Sequence, residues 1–247
     1  MKTTGNTILL AGGTSGIGLG LAQRFHDAGN KVIVAGRRKE LLDEITSTYK
    51  GIEGEVLDIT DPASILGLYE SVSTKHPDLN VVVAMAGIME PEIILDPGSL
   101  DVAERTLATN LLGPIRLIHA FGPLLTRQDD GAIVTVTSGL AYVPLAITPT
   151  YGATKAGLHS FTESLRHQLR DTSIQVIELA PPLTRTALMG SDNNERAMPL
   201  EDFLTETMSL LGSQQDARQI LVDRVKRQRF AEATGTYDEV FAMQNGG

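Results

Sequence analysis

The stretch that most restricts the fold is Gly12-Gly13-Thr14-Ser15-Gly16-Ile17-Gly18, set between an apolar run at 7–11 and an amphipathic run from Gly16. A short buried strand that ends in glycines and feeds a helix reads as a βα turn. Glycines at 12, 16 and 18 follow Gly-x-x-x-Gly-x-Gly. Gly12 permits the tight turn out of the strand, Gly16 lets backbone approach a pyrophosphate, and Gly18 lets the helix sit close to the sheet. The start of the helix adds free N–H groups and a positive dipole end for phosphate. Thr14, Ser15 and Ile17 complete the loop.

Strand and helix patterns then alternate without a break. Strands are expected at 31–35, 53–57 and 81–85, with helices at 16–28, 39–49 and 62–74. Further on, helices are expected at 100–112 and 114–125, or one long helix kinked at Gly113-Pro114, then a strand at 131–137 and a helix at 150–169. A sixth strand is read at 174–179, a loop at 181–198, helices at 200–211 and 215–227, and a seventh strand at 237–243. Such alternation predicts an α/β, doubly wound, mostly parallel seven-stranded sheet with helices on both faces. No linker or repeat divides residues 1–247, so one domain is expected, with 183–211 as the substrate loop and lid.

A net charge of −9 argues against nucleic acid or an anionic membrane surface as partner, since both reward clustered Lys and Arg. The apolar run at 8–11 is too short for the core of a secretory signal, and no run reaches the roughly 18 apolar residues of a membrane span. The chain has no cysteine, which excludes a disulfide framework and thiolate chemistry and fits a reducing cytoplasm. Its five histidines show no metal-ligand spacing and read as surface or interface residues.

Cofactor choice is expected at the end of the second strand, where an acid would take a ribose 2′-OH and an arginine a 2′-phosphate. The chain has Gly36-Arg37-Arg38 there and no acid before Glu40. Arg37 is read as the phosphate clamp, with Arg38 near the adenine, which predicts NADP(H) in preference to NAD(H). Asp58 and Ile59 follow the third strand, where an adenine edge would lie; Asp58 equally suits a helix cap, through Asp61 or itself.

Tyr151-Gly-Ala-Thr-Lys155 places a phenol and an ammonium on one helix face. A neighbouring ammonium favours phenolate, so Lys155 is expected to lower the pKa of Tyr151. Ser138 stands thirteen residues before Tyr151, and Asn110 lies in Asn110-Leu-Leu-Gly113. With the glycine loop, these residues make the chain resemble the short-chain dehydrogenase/reductase family over almost its whole length. Pro181-Pro182-Leu-Thr184-Arg-Thr186 resembles a bacterial subgroup with Pro-Pro after the sixth strand.

The resemblance implies reversible hydride transfer between a nicotinamide and a ketone or aldehyde. Tyr151 is then the proton donor, Lys155 binds the nicotinamide ribose, Ser138 orients the substrate oxygen and Asn110 holds a water leading to Lys155. Ala86 and Gly87 would flank the adenosine side, and Pro181, Thr184 and Thr186 the nicotinamide. Two departures stand out: Ala11 replaces the family's threonine, and Ala84-Met85 replaces its paired asparagines. Segments 90–94, 140–145 and 183–203, with Tyr142, Val143, Leu188, Met189, Met198 and Phe203, are expected to wall an apolar pocket. A homodimer or homotetramer is expected through the helices at 114–125 and 150–169, with Leu158, His159, Phe161 and Leu165 at the contact. The competing reading is a cofactor-binding regulator or scaffold that has kept the fold.

Overall fold

The structure is a computed structural model that describes residues 1–246. Seven parallel strands run in the order β3-β2-β1-β4-β5-β6-β7. They are β1 (Thr7–Ala11), β2 (Lys31–Gly36), β3 (Ile52–Val56), β4 (Val81–Ala84), β5 (Ala132–Val136), β6 (Gln175–Leu179) and β7 (Gln219–Ile220). Alternate residues of each strand feed separate cores on the two faces. Ile8 and Leu10 meet Leu21 and Phe25 of α1 (Gly16–Asp27), Leu42 of α2 (Lys39–Thr48) and Phe203 of α7 (Leu200–Ser213). Leu9 and Ala11 meet Leu68 of α3 (Pro62–Lys75), Leu117 and Phe121 of α5 (Gly113–Leu125) and Phe161 of α6 (Pro149–Gln168). Burial on both faces accounts for the unbroken Val/Ile/Leu runs of the central strands.

The helix through 99–125 is continuous but distorted. Between α4 (Ser99–Leu107) and α5, residues Ala108–Leu112 form a π-turn, and the Gly113 N–H reaches back five residues to the Ala108 carbonyl. Pro114 is the physical reason. It has no N–H for the Asn110 carbonyl, and its ring clashes with an ordinary helical turn at that point. The expected kink at Gly113-Pro114 is therefore a widening of the preceding turn.

Two expected elements are wrong. The seventh strand is Gln219–Ile220, inside the segment expected to be helical at 215–227, of which only α8 (Lys226–Arg229) and a short 3₁₀ turn are helical. Residues expected as a strand at 237–243 form helix α9 (Tyr237–Asn245). Tyr237, Val240 and Phe241 lie at helical spacing and pack on Val143 and Ala231, so tertiary contact overrides their preference for strands. Among the described residues, no helix is long and apolar enough to cross a membrane.

Candidate active site

Strand order reverses between β1 and β4, and the crevice at that reversal is where ligands bind in open α/β sheets. The glycine loop leaves β1 there and touches the segment that leaves β4. Gly12 has φ +102°, and a Cβ on it would lie 2.6 Å from the Ala86 nitrogen. A Cβ on Gly18 would lie 2.2 Å from the Gly12 carbonyl oxygen. Glycine is thus needed at 12 for both conformation and space, and at 18 for space alone. Ala86 is in this way brought against the loop. Gly16 faces the Thr186 side chain, which brings the segment after β6 onto the same turn. Ser15 caps α1 without a side-chain hydrogen bond, and the first turn carries no acid. The cradle of close backbone, an α1 start with no side-chain cap and no acid fits a pyrophosphate.

Arg38, more than Arg37, leans on this loop: its Nη2 donates to Thr14 Oγ1 at 3.3 Å and lies 3.5 Å from Ser15 Oγ. Arg37 is exposed and adds a favourable charge near Asp58. Asp58 Oδ1 accepts from the Thr60 hydroxyl at 2.7 Å and the Thr60 N–H at 2.9 Å. Those bonds, the hydroxyl first, hold its carboxyl below the usual range. Asp61 caps α3 instead, accepting from Ala63 N–H at 2.9 Å. Ile59 is buried in the core, with its backbone oxygen and side chain close to Gly113.

Four residues converge beside this crevice. Ser138 follows β5, and Tyr151 and Lys155 lie on the buried face of α6. Lys155 Nζ lies 5.6 Å from the Tyr151 ring centre and donates to the Val136 carbonyl at 2.8 Å. A Cβ on Gly87 would be 3.4 Å from Asn110 Oδ1 and 3.8 Å from Lys155 Nζ, so these three positions share one wall.

Asn110 sits in the π-turn and clamps one residue's backbone. Its Oδ1 accepts from Ile88 N–H and its Nδ2 donates to Ile88 C=O, both at 2.8 Å. That clamp fixes the segment after β4. The segment is tied a second time. Glu92 is buried and accepts from the Thr150 N–H and hydroxyl at 3.0 and 2.6 Å, anchoring the start of the Tyr151 helix.

Electrostatics correct one expectation. Burial pushes the Tyr151 phenol up to about 12, with the Ser138 hydroxyl beside it pulling weakly the other way. Burial also lowers the Lys155 ammonium to about 8. Desolvation, not a neighbouring cation, dominates both groups, and Tyr151 holds its proton at neutral pH.

The expected apolar pocket is narrower than the sequence reading. Val143, Met198 and Phe203 face cores. Tyr142 turns its hydroxyl inward to Glu178 at 2.8 Å. Leu183, Leu188 and Met189 are exposed in the segment after β6, which turns sharply at Met189 (φ 56°) and Gly190. Within that segment Thr184 is buried and donates to the Pro182 carbonyl at 3.0 Å, while the Pro181 carbonyl accepts from Gly139 N–H at 2.9 Å. Of the residues expected at a dimer contact, Leu158 is buried, while Phe161 and Leu165 pack on the core and His159 bonds to Glu178 with each of the three still partly exposed.

A phosphate-binding βα turn at a topological switch point, with a Ser-Tyr-Lys group alongside, defines a nucleotide-dependent oxidoreductase of the α/β class. The chain matches the short chain dehydrogenase family over residues 6–197, and it belongs to that family. It is 40% identical over 250 residues, 99% of this chain and 98% of the relative, to the uncharacterized oxidoreductase DltE of Bacillus subtilis (strain 168). Among solved structures it superposes on a short chain dehydrogenase from Burkholderia cenocepacia J2315 in complex with NADP, with TM-score 0.82 and 20% identity over 99% of this chain and 98% of that one. A 3-ketoacyl-(acyl-carrier-protein) reductase from Brucella melitensis complexed with NADH gives TM-score 0.78 and 24% identity over 87% and 93%.

Proposed function

We propose that the chain reduces a ketone or aldehyde, reversibly, using NADPH in preference to NADH. The observation that carries this reading is the buried Tyr151 with Ser138 beside it and Lys155 Nζ 5.6 Å from its ring, next to the switch-point crevice. A nicotinamide nucleotide supplies the hydride when bound. Tyr151 gives its phenolic proton to the carbonyl oxygen, and Ser138 orients that oxygen with its hydroxyl. Lys155, buried next to the phenol, would bind the ribose. The glycine loop would hold the pyrophosphate, with Ala86 and Gly87 behind it and Thr184 and Thr186 across from it. Arg38 on the glycine loop and Arg37 beside it support a 2′-phosphate. The exposed Leu183, Leu188 and Met189 suit a substrate with an apolar body.

Following NADPH absorbance with a panel of aldehydes and ketones tests the reading. Turnover should fall about a thousandfold in Tyr151→Phe with NADPH affinity kept. Tight NADPH binding with no turnover on any member would favour a cofactor-binding regulator instead. A cytoplasmic location and a homodimer or homotetramer remain part of the proposal. The contact is proposed along α5 and α6, and light scattering tests the oligomeric state.

A further inference from the structure

A group of hydrogen-bonded polar side chains outside the Ser-Tyr-Lys site surrounds Glu178 on β6. Its side chain is fully buried. Oε1 accepts from Thr137 Oγ1 at 2.6 Å and from the Tyr142 hydroxyl at 2.8 Å. Oε2 accepts from His159 Nδ1 at 2.8 Å and from Gln219 Nε2 at 2.7 Å. Gln219 Nε2 also lies 3.0 Å from the Tyr142 oxygen, and the Arg229 guanidinium stands 4.8 Å from the Tyr142 ring centre and donates to Gln219 Oε1 at 3.0 Å. A buried ion held this way adds little net stability over a well-packed apolar residue, so stability alone does not explain it.

The placement does. Thr137 and Tyr142 lie on either side of Ser138, one residue before it and four after it. His159 is on the helix that carries Tyr151 and Lys155. One carboxylate therefore joins both ends of the serine segment to the tyrosine helix. We propose that Glu178 is a positioning residue that sets Ser138 against Tyr151. This rests on the carbonyl-reduction reading above. The ligand atoms of His159, Glu163 and Glu178 lie within 4.8 Å of one another. Four donors already occupy the Glu178 oxygens, and Glu163 pairs with Arg166, so the group reads as a hydrogen-bonded anchor and not as a metal site.

Glu178→Gln turns an amide N–H₂ toward two of the four donors. In the 247-residue chain kcat for carbonyl reduction should fall at least about tenfold, since small misplacements of reacting groups are costly. The NADPH dissociation constant should stay within about twofold. Hydrogen exchange should quicken at 138–146 and stay unchanged at 12–18. Tyr142→Phe, which removes one anchor and no charge, should show a smaller loss of the same kind. Thr162→Ala, which breaks the buried Thr135–Thr162 bond of 2.8 Å on the same helix, should lower the melting temperature and leave kcat unchanged. The proposal is overturned if Glu178→Gln behaves like Thr162→Ala, or if its kcat falls only in step with NADPH affinity. If the native chain reduces nothing in the panel, the carbonyl reading fails by itself. Exchange then decides the anchor, and no change at 138–146 removes it.

Discussion

The two sides of the crevice are built by different means. On the nucleotide side the chain uses backbone: Gly12 against Ala86, Gly18 against the Gly12 carbonyl, and Met85 N–H bonded to the Ala11 carbonyl at 3.0 Å. Side chains matter little there, and the two departures from the family pattern fall on this side. Ala11 and Ala84 are buried partners in the β1–β4 ladder, where backbone bonds hold the shape. On the carbonyl side, side chains do the holding: Asn110 on Ile88, Glu92 on Thr150, and Glu178 on Thr137, Tyr142, His159 and Gln219. Shape made by backbone tolerates substitution wherever a side chain fits. Shape made by buried polar groups does not, because each lost partner leaves another unsatisfied.

The strongest way to break this contrast is to put bulk into the backbone side. Gly12→Val adds a β-branched side chain at φ +102°, in contact with the Ala86 backbone. The combined backbone strain and overpacking should cost about 4 kcal/mol in urea unfolding, with NADPH affinity reduced more than about a hundredfold. Survival of tight binding would show that the loop is not held by that contact.

The next effect is on the polar side and depends on pH. Burial alone would raise the Glu178 carboxyl; bonds from His159, Thr137 and Gln219 outweigh it and bring it to about 2, against 4.5 for an ordinary glutamate. The folded state then binds fewer protons than the unfolded state between those values. Its stabilisation is complete above pH 4.5 and disappears as the pH falls towards 2, amounting to about 3 kcal/mol. The stability difference between the native chain and Glu178→Gln should shrink by that amount from pH 5 to pH 2; a constant difference would mean that the carboxylate is not specially stabilised.

The smallest expected effect returns to the nucleotide side and its exposed cations. Arg38→Ser should raise KM for NADPH about tenfold and leave KM for NADH unchanged, with Arg37→Ser weaker, since Arg38 reaches the glycine loop. The reverse order would restore Arg37 as the clamp. Equal use of both nucleotides by the native chain would remove the NADPH preference.

The same contrast explains what the sequence disclosed. Backbone-built features leave local marks, so the glycine spacing, the strand-helix alternation and the Tyr151–Lys155 offset were all readable. Ser138 could be placed by its offset from Tyr151 and Asn110 by its Asn-Leu-Leu-Gly match, both through the family resemblance. Glu178 was not visible as a site residue, because its partners come from the segment after β5, from α6 and from β7, and no local pattern joins them. β7 has two residues, too few for any periodicity. Helix α9 was misread as a strand because Tyr237, Val240 and Phe241 favour strands, whereas their spacing of three and four is helical. The direction of the Tyr151 shift was missed because sequence shows the neighbouring cation and not the burial that outweighs it.

The π-turn before Pro114 also restricts how this chain can change over evolutionary time. Each helical residue advances the direction of the next by about 100°, so the widened turn sets the phase between α4 and α5. Deleting one residue at 108–112 would swing Leu117, Ile118 and Phe121 out of the core while also displacing Asn110 from Ile88. Replacing Pro114 alone would permit a normal turn without removing the extra residue. Converting it to a regular helix therefore needs coordinated changes in packing and at Asn110, so the widened turn is locked in by two unrelated sets of contacts at once.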